Sequence, residues 1–190
     1  MNPAAKRLIL TIYCLLTFLS INAYAALDQK ITSIDGSKHS LSEYIGHGKW
    51  VVLNIWGTRC PPCREEMPEL VLFHDEHKDK DAIVVGIAID FPSYGYAKKD
   101  EVIRFSDDYL IDFPVLLSDS TITEKFGLGR LEGLPTTYMF NPDGMVVGMQ
   151  VGGITKKILD DFIAKNKAVT PNSQVNNKTP GTTINQKSRQ

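Results

Sequence analysis

Three residues, Gly57-Thr58-Arg59, separate the run Trp50-Val51-Val52-Leu53-Asn54-Ile55-Trp56 from Cys60-Pro61-Pro62-Cys63, and this junction restricts the possible folds sharply. A short apolar run bounded by turn residues suits a strand buried on both faces, which needs structure above and below its sheet. Two consecutive prolines fit the first turn of a helix but not its interior. The segment therefore reads strand, tight turn, helix, with a cysteine at the joint.

The rest of the chain repeats that alternation. The helix that opens at the cysteines extends to about Lys78. Residues 82–89 form a second buried strand, and 100–110 a helix with Val102, Ile103, Phe105 and Leu110 on one side. A short strand at 115–117 and a short helix at 121–126 follow. Strands at 136–140 and 145–151 flank Asn141-Pro142-Asp143-Gly144, which is hairpin turn chemistry, and Thr155 caps a closing helix over 155–165. The expected class is α/β, a mixed sheet flanked by helices on both faces.

At 190 residues, 43% apolar and 23% charged, the chain has the balance of a soluble globular domain with extensions. A net charge of -1 without a dense basic stripe argues against nucleic acid as a partner. Residues 1–25 read as a signal peptide: Lys6 and Arg7, then an apolar stretch from Leu8 to Ile21, then Ala23-Tyr24-Ala25. The apolar stretch is shorter than the ~20 residues of a spanning helix. Cleavage after Ala25 and a periplasmic or other extracytoplasmic location are expected, an uncleaved N-terminal membrane anchor being the alternative. From about Asn166 the sequence turns polar, which predicts a disordered tail over 166–190 and a folded domain over 26–165.

Removing the signal removes Cys14 and leaves Cys60 and Cys63. A bridge between them closes too short a loop to staple a fold, which favours redox chemistry over structure. Cys60 at a helix N-terminus is the candidate nucleophile, its thiolate favoured by the helix dipole. Cys63, one turn on, is the resolving thiol. Because Pro61 and Pro62 carry no N–H and no charge lies between the cysteines, the thiolate should be only modestly stabilised and the pair reducing. Zinc would want two spaced ligand pairs, and no second pair exists, so no metal is expected. Two other readings stay open: an oxidase or isomerase, and a copper-handling dithiol chaperone using both thiols with His74. His39 and His47 fall in loop-like, solvated surroundings, and Tyr94 and Tyr96 read as loop packing.

Residues Trp56-Gly57-Thr58-Arg59-Cys60-Pro61-Pro62-Cys63-Arg64-Glu65-Glu66-Met67-Pro68 resemble the active-site stretch of the thioredoxin superfamily, especially its exported TlpA/ResA/CcmG branch. Gly133-Leu134-Pro135-Thr136-Thr137 resembles the loop that carries that superfamily's cis-proline. The resemblance implies a thioredoxin-like fold with a central insertion, here 91–120, and an enzyme, a protein-disulfide reductase. It implies oxidised protein thiols as substrates, often apocytochrome c, and a membrane thiol reductant as electron donor. No cofactor is implied beyond the Cys60–Cys63 disulfide itself. Leu134 and Pro135, together with Trp56, are assigned to substrate binding. Thioredoxin carries a buried aspartate where this chain has Asn54, which cannot move a proton. The branch places a glutamate near the cysteines, and Glu66 occupies that position. Spacing alone leaves Glu66 as either a proton acceptor for Cys63 or an exposed acid of the first turns; the resemblance favours the former. Pro68 matches a family proline within the helix. Arg59 departs from the family, which usually has tryptophan there. It is open to two readings, a partner for the thiolate or an acidic protein, and a solvated charge.

Overall fold

The computed structural model describes residues 26–169. The expected signal peptide and the part of the expected tail from residue 170 onward lie outside them. Seven strands form one sheet: β1 (Ile31–Ser33), β2 (Lys38–His39), β3 (Trp50–Trp56), β4 (Ala82–Ala88), β5 (Val115–Leu117), β6 (Thr136–Phe140) and β7 (Val146–Val151). Among the described residues, α1 (Pro61–His77), α2 (Lys99–Asp108), α3 (Ile122–Lys125) and α4 (Lys156–Val169) accompany it, with a 3-10 turn at Leu41–Glu43. The strand order is β2-β1-β5-β4-β3-β6-β7. Strands β3, β4 and β5 are parallel, and the remaining pairs are antiparallel.

The apolar run of β3 is buried throughout, yet its residues still alternate between two cores. Val52 and Trp56 join Val84 and Ala88 of β4 on the face covered by α1, α2 and α4; Val51, Leu53 and Ile55 join Val85 and Ile87 on the opposite face. That second face is closed by Leu41, Ile45, Ile122 and Phe126. Gly86 of β4 is needed where Trp56 crosses it, since a Cβ there would lie 2.9 Å from the indole Nε1.

Helix α1 presents a stripe of buried residues at Cys63, Glu66, Met67, Leu70, Phe73 and His74, the spacing of one helical face. Its far end is tied to α4, where His77 Nε2 meets Asp160 at 3.0 Å and Nδ1 meets Asp81 at 2.7 Å. Pro68 lies within α1 on its exposed side.

Three features differ from the sequence reading. The N-terminal pair β1–β2 is additional, and it sets His39 in a strand, bonded to Glu43 at 2.7 Å. These strands are too short to leave a periodic signal. The segment 91–120 is more than an insertion, because it supplies β5, which sits inside the sheet between β4 and β1. Finally, α4 runs on to Val169, with Asn166 Nδ2 donating to the Phe162 carbonyl at 2.8 Å.

Candidate active site

Strand β3 ends at Trp56, and the Gly57–Arg59 turn delivers Cys60 to the N-cap of α1, with an extended backbone (φ -83°, ψ 113°). The turn is tight because Cys60 N–H donates to the Gly57 carbonyl at 3.1 Å. Pro61 and Pro62 fill the first two helical positions. Neither offers an N–H to Cys60, so the usual anion-binding amides of a helix start are reduced.

Cys60 and Cys63 are disulfide-bonded, with Cα atoms 5.3 Å apart. Cys60 retains only 1% of its exposure and Cys63 none, because both belong to the apolar cluster beneath the sheet face. Beside them stands the loop before β6. The Leu134–Pro135 peptide is cis, and Pro135 is buried while its carbonyl accepts Gly152 N–H at 2.8 Å. Leu134 packs against both cores. A Cβ on Gly57 would lie 3.0 Å from Phe91 and 3.6 Å from Leu134, so only glycine lets the turn and this loop approach so closely.

Glu66 is brought to the same place. It lies one turn beyond Cys63 on the buried face of α1 and is 3% exposed. Its Oε1 accepts from Asn54 Nδ2 at 2.9 Å, and its Oε2 accepts from the Ile154 N–H at 2.8 Å. Burial pushes its pKa up from 4.5 to about 7, although both hydrogen bonds pull the other way. A carboxyl poised there can exchange a proton with a neighbouring thiol at neutral pH. Glu65, by contrast, is exposed.

Two expectations are corrected by the geometry. Trp56 does not line an open surface: it is fully buried, its ring centroid 4.8 Å from that of Phe105, because β3 is central and covered on both faces. A docking protein has no access to it. His74 does not approach the cysteines either. It follows Cys63 by eleven residues on one helix, ~16 Å along the axis, and its Nδ1 accepts the Val84 N–H at 3.0 Å.

Arg59 is engaged rather than free. Its guanidinium donates to Asp90 Oδ1 at 2.5 Å and lies 3.7 Å from Glu101 Oε2. Arg64 works alongside it, donating to the Thr58 carbonyl at 3.1 Å while lying over the rings of Phe105 and Tyr109. Both arginines thus brace the cysteine turn against the segment 91–120. Sequence reasoning missed Asp90, Arg64 and Thr137, and it valued Asn54 only as an absent acid. An asparagine inside a fully apolar strand was the available signal.

Comparison with known proteins places this arrangement. The sequence model described as the AhpC/TSA family matches residues 23–149. The chain belongs to that family. It is 35% identical over 135 residues to the thioredoxin-like protein YneN of Bacillus subtilis, covering 71% of this chain and 74% of that one. It is 30% identical over 139 residues to the thiol-disulfide oxidoreductase ResA of Halalkalibacterium halodurans, covering 73% of each. A crystal structure of a thiol:disulfide interchange protein of the thioredoxin family from Chlorobium tepidum superimposes with a TM-score of 0.62 at 26% identity, covering 72% of this chain and 91% of that one. This AhpC/TSA member is a thiol–disulfide oxidoreductase with a thioredoxin-like fold and a disulfide-bonded Cys60–Cys63 pair.

Proposed function

We propose that the protein is exported and reduces disulfides of envelope proteins, apocytochrome c being the leading substrate class. The observation that carries the direction of electron flow is the start of α1, where Pro61 and Pro62 withhold two amides from the Cys60 thiolate. A less stabilised thiolate makes a more reducing pair. The signal-like pattern of Lys6, Arg7 and Ala23-Tyr24-Ala25 supports export.

The Cys60 thiolate attacks one sulfur of the substrate disulfide, and the other leaves as a thiolate that takes up a proton. Cys63 then gives its proton to Glu66 and attacks Cys60 Sγ. The Cys60–substrate bond breaks, the Cys60–Cys63 bond forms, and the second substrate sulfur leaves to be protonated. Two electrons and two protons pass to the substrate. A membrane thiol reductant restores the dithiol by the reverse exchange. Half-buried Leu134, set in place by the buried cis-Pro135 behind it, forms the wall against which an extended substrate segment lies.

Equilibration with glutathione or dithiothreitol buffers should give a potential nearer the ~-270 mV of thioredoxin than the ~-120 mV of a strong oxidase. A value above about -160 mV rejects the reductase reading in favour of the oxidase or isomerase. In cells, a Cys63→Ala variant should accumulate mixed disulfides with envelope proteins, c-type apocytochromes among them. Capture confined to cytoplasmic proteins would contradict export.

A further inference from the structure

Asn54 is the polar residue that the reaction above leaves unused. It sits mid-way along β3, between Gly86 of β4 and Thr137 of β6, and none of its surface is exposed. Asparagine is disfavoured in strands, and an apolar residue here would pack between Val52 and Trp56 without a polar cost. Its amide is nonetheless fully committed on one side: Nδ2 donates to Glu66 Oε1 at 2.9 Å and to Thr137 Oγ1 at 3.0 Å. On the other side Oδ1 is buried with no partner. A chain that keeps a costly half-satisfied amide in its central strand is using the satisfied half.

We propose that Asn54 is a positioning residue for proton transfer from Cys63, its amide holding the Glu66 carboxyl in place and favouring the ionised form that can accept the proton. This rests on Glu66 being the acceptor. On α1, Glu66 is flanked one turn either way by Cys63 and by Glu69, whose Oε2 is occupied by the Lys156 N–H at 2.9 Å. The sheet presents neutral Asn54 and Thr137, and the β7–α4 connection presents the Ile154 N–H. No charged side chain hydrogen-bonds to Glu66 among the described residues. Two neutral donors therefore oppose burial, and Asn54 is the only one supplied by a side chain. Without it, burial prevails and Glu66 holds its proton at neutral pH, when it should be empty. Thr137 serves the same end by fixing which way the amide faces.

The test uses the full-length mature protein with Asn54→Leu and Thr137→Val. The Glu66 carboxyl is titrated by carbon NMR in glutamate-labelled reduced protein, and mixed-disulfide resolution is followed across pH in single turnover. Asn54→Leu should raise the Glu66 midpoint by about one unit, tenfold in proton affinity. It should slow resolution about fivefold at pH 7, approaching about tenfold well below it, and move the rate profile upward by about one unit, with Cys60 attack unchanged. Thr137→Val should shift both in the same direction by less, and it carries the test if Asn54→Leu does not fold. An unmoved midpoint in folded variants overturns the role of Asn54 while leaving Glu66 as acceptor. A moved midpoint with an unmoved rate profile instead removes Glu66 as the acceptor, and the role of Asn54 with it.

Discussion

Glu66→Gln is expected to leave attack by Cys60 intact and to slow resolution of the mixed disulfide by ~100-fold or more near neutral pH, the usual worth of general acid–base assistance. Glutamine suits the site because its carbonyl can accept the Ile154 N–H while its amide donates to a turned Asn54, whose Oδ1 is otherwise unpartnered. The fold should therefore survive, and the loss should be one of proton transfer. The deficit should shrink as pH rises, because Cys63 then ionises without help. Glu65→Gln is the control, its side chain being exposed on the same helix. Rapid-quench trapping of the Cys60–substrate intermediate separates the two steps. Equal resolution rates in wild type and Glu66→Gln would reduce the catalytic assignment to the cysteine pair.

The second large effect is on stability. Glu66 binds its proton more tightly when folded, with a pKa of about 7, than at its ordinary value of 4.5. Between those values the folded state carries more protons than the unfolded one, so its stability falls as pH rises. The contribution is fully present below about pH 4.5 and lost once pH passes 7. A shift of that size corresponds to about 3 kcal/mol. Several surface carboxylates, Asp90 and Asp119 among them, are lowered by hydrogen bonds to Ser93 and Thr121 and act in the opposite sense. The difference between wild type and Glu66→Gln isolates the buried group. Urea unfolding at pH 4.5, 7 and 8.5 should show the variant gaining on wild type by about 3 kcal/mol across the series. Parallel curves would mean that Glu66 is not held protonated by burial.

Much of this site was legible in one dimension because its determinants are local. A strand buried on both faces, a proline pair that only a first helical turn accepts, and two cysteines one turn apart follow from periodicity and backbone chemistry. Those features led to β3, α1 and the reactive pair. The stripe of Cys63, Glu66, Met67, Leu70, Phe73 and His74 was also in the sequence, since helical spacing puts a carboxyl on an otherwise inward face.

What the spacing could not decide was whether Glu66 is buried, and what it meets there. That depends on Asn54, twelve residues earlier on β3, and on the Ile154 N–H, eighty-eight residues later beyond β7. The partner of Arg59 likewise comes from Asp90 after β4, and Trp56 is sealed by Phe105 of α2. The sequence by itself determined which groups can react, because helix starts and strand patterns are set by each residue and its near neighbours. Tertiary structure alone decided their proton affinity and access. Those depend on desolvation and on hydrogen bonds between elements, and no periodicity in the chain encodes which distant backbone amide arrives.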